Sequence, residues 1–143
     1  MATRRIAAPA ETIYGIIADY RNGHRHILPK QFHSLVVEQG GIGASTIIRC
    51  QMRTYGRTQV FRAVITEPRP GRELMETNLD GVNSVTTFLV EPVAGTNETD
   101  VTITTDLKVR NGWPGRLEGY LSHRLLYPMY LDELELLDIV ARK

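Results

Sequence analysis

Four histidines, one cysteine and a scatter of acids are the side chains most able to do chemistry in this sequence. His24 and His26 stand two apart in RNGHRHIL, with His33 and His123 elsewhere. A tetrahedral metal needs three or four ligands held together. No such group is spelled out here, and Cys50 sits in an apolar strand pattern, so neither a metal nor a cofactor is expected. In the polar loop the histidines read as solvated residues. His26 has a second option, because an imidazole titrates near neutral pH and can serve as a general base. Asp19, Glu76 and Asp106 are scattered, and spacing places no two of them together. There is no Ser/His/Asp order, CxxC pair or phosphate-binding loop. GGIGAS puts Thr46 where a dinucleotide fingerprint needs its third glycine, and a strand follows it rather than a helix, so it reads as a hairpin turn.

Polar residues on otherwise apolar faces say more, since burying an unpaired polar group costs free energy. Ser84, Thr86 and Thr105 fall on inward-facing positions, where their hydroxyls could orient a ligand or bond to neighbouring backbone. Ile48, Met52, Phe61 and Phe88 share those faces as core residues, or as cavity walls if the core is hollow. Tyr120, Arg124 and Tyr127 lie on one helix face at spacings of four and three. An arginine there could pair with a ligand carboxylate or with Glu76, or extend to solvent.

The elements that must position these groups are legible from periodicity. Trp113 to Lys143 reads as one long amphipathic helix, with Leu117, Tyr120, Arg124, Tyr127, Leu131, Leu134, Leu137 and Ala141 at gaps of three and four. Arg116 to Ala141 would span roughly 39 Å at ~1.5 Å per residue. Pro128 should kink it. At the other end Thr3 to Ala7 reads as a strand, and Pro9 opens a helix with Ile13, Ile16 and Ile17 buried that stops near Asp19. A short helix within Arg21–Leu28 ends at Pro29.

Six consecutive strands follow: Phe32–Glu38, Ser45–Tyr55, Arg57–Glu67, Arg72–Leu79, Val82–Val93 and Val101–Val109. Pro68, Pro70 and Gly71 break the third, and Asp80-Gly81 turns the fourth into the fifth. In the second, Ile48, Cys50 and Met52 face one way and Arg49, Gln51 and Arg53 the other. Strands in sequence followed by a helix give an α+β fold with an antiparallel meander. A long apolar helix stripe has only that sheet to bury against. The space between them is either filled by side chains or left as a pocket.

The 143 residues are read as a single domain, 1–143, with 42% hydrophobic and 23% charged residues, ordinary for a globular protein. A net charge of +1 gives no field to recruit nucleic acid or an anionic membrane. Arg49, Arg53 and Arg62 make a basic outer face, but few aromatics interleave it, so no nucleic acid partner is expected. No apolar run approaches the ~20 residues of a membrane span, and MATRRIAA lacks the apolar core of a signal peptide. With one cysteine, the expectation is a cytoplasmic protein without stable membrane insertion.

Four stretches carry a family resemblance. IAAPAETIYGIIADY, ITEPRPGRELME, FLVEPVAGTNETDVTITTDL and RLEGYLSHRLLYPMYLDELELL together resemble the helix-grip domains of the START/polyketide cyclase (SRPBCC, birch-pollen-allergen-like) superfamily, specifically its polyketide cyclase/dehydrase and lipid-transport group. The resemblance implies a curved antiparallel sheet of six to seven strands wrapped around a long C-terminal helix, with two short helices between the first two strands. It also implies a deep apolar cavity holding a lipid, polyketide, sterol or similar ligand. The segment with His26 lies where such domains form the cavity mouth, and the glycine-rich GGIGAS turn sits where the plant allergen branch borders it.

Three functions follow as expectations. The first is binding of a small hydrophobic or amphipathic ligand in the cavity, contacted by His26, Ile48, Met52, Phe61, Thr86, Phe88, Thr105, Tyr120, Arg124 and Tyr127. The second is a cyclase/dehydrase-type enzyme using His26, Arg124 or a tyrosine in the same cavity. The third is a protein-interaction domain.

Overall fold

Strict alternation of apolar and polar residues builds one sheet, and the longest apolar stripe lies across it. A computed structural model describes residues 1–54, 56–80, 83–108 and 126–143. Strand β1 (Ala2–Ile6) leads into helix α1 (Ala10–Ala18), with Pro9 at its N-cap. A single 3-10 turn follows at His24–His26. Strands β2 (Phe32–Gln39), β3 (Ile47–Thr54), β4 (Arg57–Arg69), β5 (Glu73–Asn78), β6 (Asn83–Pro92) and β7 (Thr99–Lys108) then run in succession to helix α2 (Tyr127–Ala141).

The seven strands form one curved antiparallel sheet in the order β1-β7-β6-β5-β4-β3-β2. Consecutive strands pair as hairpins, and β1 closes the far edge on β7, with Ala2 opposite Ile103 and Ile6 opposite Thr99. The fold is thus the α+β helix-grip arrangement, with α1 and the 3-10 turn as the two short helices between β1 and β2. On the concave face Ile48, Cys50, Ala63, Ile65, Leu74, Phe88, Val90, Val101 and Ile103 are buried against Ile13 and Ile17 of α1 and Leu134 and Leu137 of α2. Asp138 of α2 accepts a charged hydrogen bond from Arg4 on β1 at 2.8 Å, which fixes the helix to the sheet edge, and forms an ion pair with Arg142 at the helix C-cap, also at 2.8 Å.

Two local expectations need correction, at β4 and α2, and one irregularity, in β2, gains its cause. Strand β4 does not stop at Pro68; it runs to Arg69 with a register shift between Thr66 and Arg69. A bulge accommodates a residue that cannot donate to the ladder. Strand β2 alternates imperfectly because Ser34 adopts a left-handed conformation (φ 58°) and shifts the register between His33 and Val36. In α2 the buried face is Met129, Tyr130, Glu133, Leu134, Leu137 and Asp138, whereas Leu131 is 44% exposed. The expected stripe through Tyr127, Leu131, Leu134, Leu137 and Ala141 therefore holds at Leu134 and Leu137 and is otherwise rotated from the face the helix buries. Residues 109–125, including Leu117, Tyr120 and Arg124, lie outside the described residues. Pro128 falls in the first described turn of α2, two residues after Leu126 in a π-type turn, so the expected kink falls at the limit of the described residues.

Candidate functional site

A sheet whose inner face carries small, hydroxyl and thiol side chains cannot fill the space beneath a helix. Between that face and α2 lies a cavity of about 460 Å³. Ile48, Cys50 and Met52 of β3 and Gln59, Val60 and Phe61 of β4 line one side, with Phe32 and Leu28 near them. Ser84 and Thr86 of β6, Thr105 of β7 and Leu126, Met129 and Tyr130 of the helical segment line another. Thr86 and Thr105 face each other across the β6–β7 pair, their hydroxyls 2.8 Å apart.

The cavity has one polar wall, made by three charged-type residues from three elements. After α1 ends, the Asp19 side chain accepts from the backbone N–H groups of Arg21 and Asn22, and the Tyr20 N–H donates to the Gly41 carbonyl at 2.8 Å. This folded turn, with an Asx-type contact at its head, turns Tyr20 and His24 inward together. The Tyr20 and His24 rings stack with centroids 4.3 Å apart, and Phe88 meets His24 edge-on at 5.7 Å. His24 is 1% exposed. Its Nδ1 lies 2.7 Å from the Ile17 carbonyl, an acceptor only, so Nδ1 carries the proton and Nε2 is left with a lone pair.

That nitrogen stands 3.7 Å from Glu76 Oε2 on β5 and 3.6 Å from Glu133 Oε1 on α2. Glu76 accepts a 2.5 Å hydrogen bond from the Tyr20 hydroxyl. Glu133 is 9% exposed and makes no hydrogen bond among the described residues. Burial drives its carboxyl well above the usual range, reinforced by the Glu76 carboxylate, so Glu133 keeps its proton to higher pH than an ordinary carboxyl does. Burial pushes His24 the other way, below its ordinary value, partly opposed by Glu76 and by the Ile17 carbonyl. The Tyr20 hydroxyl is raised by burial and by the Glu76 charge.

The remaining titratable walls are quiet at neutral pH. Burial pushes the Cys50 thiol up to about 12, and the Tyr130 hydroxyl likewise to about 12. The Tyr130 hydroxyl reaches no partner at hydrogen-bonding geometry among the described residues. Thr105, already bonded to Thr86, lies near enough to offset part of that rise. Among the described residues no group of three His, Cys, Asp or Glu side chains is arranged to hold a metal ion.

The residues expected from sequence divide clearly. Ile48, Met52, Phe61, Thr86 and Thr105 line the cavity. Phe88 stands behind it, backing His24. Tyr127 is half-buried against the core, off the cavity lining. Tyr120 and Arg124 lie outside the described residues. His26 is exposed on the 3-10 turn; the histidine in the cavity wall is His24, because two residues of a 3-10 turn carry side chains to opposite sides. Of the acids that spacing left apart, Asp19, Glu76 and Asp106, Glu76 enters this wall, joined across that histidine by Glu133, which the sequence reading passed over. Two sequence signals point to this wall. Tyr20 and His24 are four apart, and Glu133 stands three after Tyr130 and four before Leu137, on the buried face of α2.

The sequence from residue 1 to 138 matches the family described as polyketide cyclase/dehydrase and lipid transport. No curated protein is significantly similar to it. A START superfamily protein from Mycobacterium smegmatis shares the fold with a TM-score of 0.74 at 18% identity, over 99% of this chain and 94% of that one. The ZhuI aromatase/cyclase from Streptomyces sp. R1128 superposes with a TM-score of 0.78 at 15% identity, over 99% and 91%. The KanY protein (ms6282) gives 0.80 at 18%, over 99% and 95%. At these identities the likeness shows the fold. Among the described residues no helix is long and apolar enough to cross a membrane. By the family match over nearly its whole length, the chain belongs to the polyketide cyclase/dehydrase and lipid transport family.

Proposed function

We propose that this chain binds a small amphipathic molecule of lipid, polyketide or aromatic type, its body against Ile48, Met52, Phe61 and Met129 and its polar end toward His24, Glu76 and Glu133. The observation that carries this is the cavity itself: about 460 Å³ left open under α2 lies within the range of small-molecule sites, and one wall alone is strongly polar. Membership of a family described by lipid transport and polyketide cyclisation supports it. In this reading the protein acts as a single domain in the cytoplasm, consistent with a lone unpaired cysteine.

Native mass spectrometry of the purified protein, beside a denatured control, tests the proposal. A retained small molecule is expected, and it should be lost from Met52→Trp, where the indole occupies the cavity. Retention unchanged in that variant would place the molecule elsewhere.

A second reading has its own support. A protonated Glu133 facing the unprotonated Nε2 of His24 is an acid and a base on one wall. In a dehydration, His24 would take the α-proton of a β-hydroxyketone while Glu133 protonates the departing hydroxyl, releasing water and leaving the enone. Turnover of an aromatic-polyketide-type β-hydroxyketone should then fall by about 10²-fold or more in Glu133→Gln. Equal rates in the two proteins would remove this reading and leave the binding one.

A further inference from the structure

The polar wall of the cavity has a chemical bias that narrows the ligand class, an inference that rests on the binding reading above. With Glu133 ionised, its groups are acceptors. Glu76 Oε2, Glu133 Oε1 and His24 Nε2 converge, with 3.7 and 3.6 Å between the histidine nitrogen and each acid oxygen. The donor on this wall, the Tyr20 hydroxyl, is already given to Glu76. A third acid, Asp80, also lines the cavity, and among its described lining residues there is no lysine or arginine.

An sp³ nitrogen placed ~2.9 Å from each of two acceptors 3.6–3.7 Å apart sits at an ordinary hydrogen-bond distance from both. Three N–H groups match the three acceptors in number. Two buried groups have capacity to spare: the Glu133 carboxyl, which makes no hydrogen bond among the described residues, and the Tyr130 hydroxyl, buried in the same lining without one. Leaving buried polar groups unsatisfied is costly. A carboxylate or phosphate would meet three acceptors and like charge. An alcohol supplies one proton where three acceptors wait.

We infer that the ligand carries a protonated amine at the end that meets His24, Glu76 and Glu133, on an apolar body that fills the rest of the cavity. When it enters, Glu133 gives up its proton to solvent and the ammonium takes that proton's place as the compensating charge beside the two carboxylates. The net charge of the wall is thereby unchanged.

Three probes of one skeleton test this: octylammonium, 1-octanol and octanoate, titrated into the full chain by calorimetry at pH 7. Octylammonium is expected to bind at least about tenfold tighter than octanol, the difference between charge-assisted and neutral hydrogen bonds, and octanoate weakest. Glu133→Gln and Glu76→Gln, checked for folding by thermal melting, should each shrink the amine-to-alcohol ratio toward one. Met52→Trp should abolish binding of the amine. Octanol or octanoate binding as tightly as the amine, with Met52→Trp still blocking it, would overturn the amine inference and leave the cavity reading standing. A ratio unmoved by both acid variants would also overturn it. No binding of any probe to the wild type would overturn both.

Discussion

At the scale of single residues, the polar wall sets opposing dependences on pH. Burial holds the Glu133 carboxyl above its ordinary 4.5, so the folded chain retains a proton there that the unfolded chain loses. Stability from this group is full below about 4.5 and declines as pH rises toward the folded value. His24 runs the other way: its folded value lies below 6.5, so its contribution is full above 6.5 and is lost as pH falls. Glu133→Gln removes the first of these. Its melting temperature should exceed that of the wild type by a margin that widens from pH 5 to pH 8 in scanning calorimetry. A constant margin would mean that Glu133 is ionised in both states. Tyr20→Phe should behave differently, because it removes the donor to Glu76 and leaves a buried acceptor unmet. A loss of about 1–3 kcal/mol in urea unfolding is expected.

At the scale of elements, what was legible follows from what each pattern reports. Strand alternation has a period of two, and burial of one face fixes parity, so Ile48, Met52, Thr86 and Thr105 could be placed inward before any coordinates existed. Helix faces are broader, and a stripe traced through leucines passed over Glu133 and Asp138 because acids are rarely buried. Pairing of Glu76 with Glu133 joins residues 57 apart through a histidine in a third element, and no local pattern encodes that. The turn before His24 is equally hidden, yet it is tightly specified. A Cβ at Gly23 would lie 2.6 Å from the Ile16 carbonyl oxygen, closer than packed atoms come. Gly23→Ala should cost about 1–3 kcal/mol as an overpacking change and shift the His24 ring resonances in NMR. Unshifted resonances would show that the turn yields elsewhere. Gly43 holds a second such position, at φ 68° with the Glu67 carboxylate against its Cα. There the Glu67 side chain accepts from the Ala44 N–H at 2.6 Å and from the Tyr14 hydroxyl at 2.7 Å, pinning the glycine turn to β4 and α1.

At the scale of the whole molecule, the cavity is a trade between packing and function. Filling it should stabilise the empty protein while removing its capacity to bind, in the manner of many stability–activity exchanges. Leu134→Ala tests the opposite direction. The side chain is fully enclosed beside α1 and the sheet, and its loss should cost about 2–5 kcal/mol. A smaller cost would indicate that α2 settles inward and narrows the cavity.

The pairing of β1 with β7 has a kinetic consequence. Every hairpin from β2 to β7 joins neighbours in sequence, but Ala2 must find Ile103 and Ile6 must find Thr99. Closing so long a loop is entropically slow, whereas the meander zips from local turns. The first strand is thus expected to dock late, after the barrier to folding has been crossed. Ile6→Val, a mild truncation in that strand, should accelerate unfolding in stopped-flow chevrons and leave the refolding limb nearly unmoved. A slowed refolding limb would instead put β1 in the nucleus.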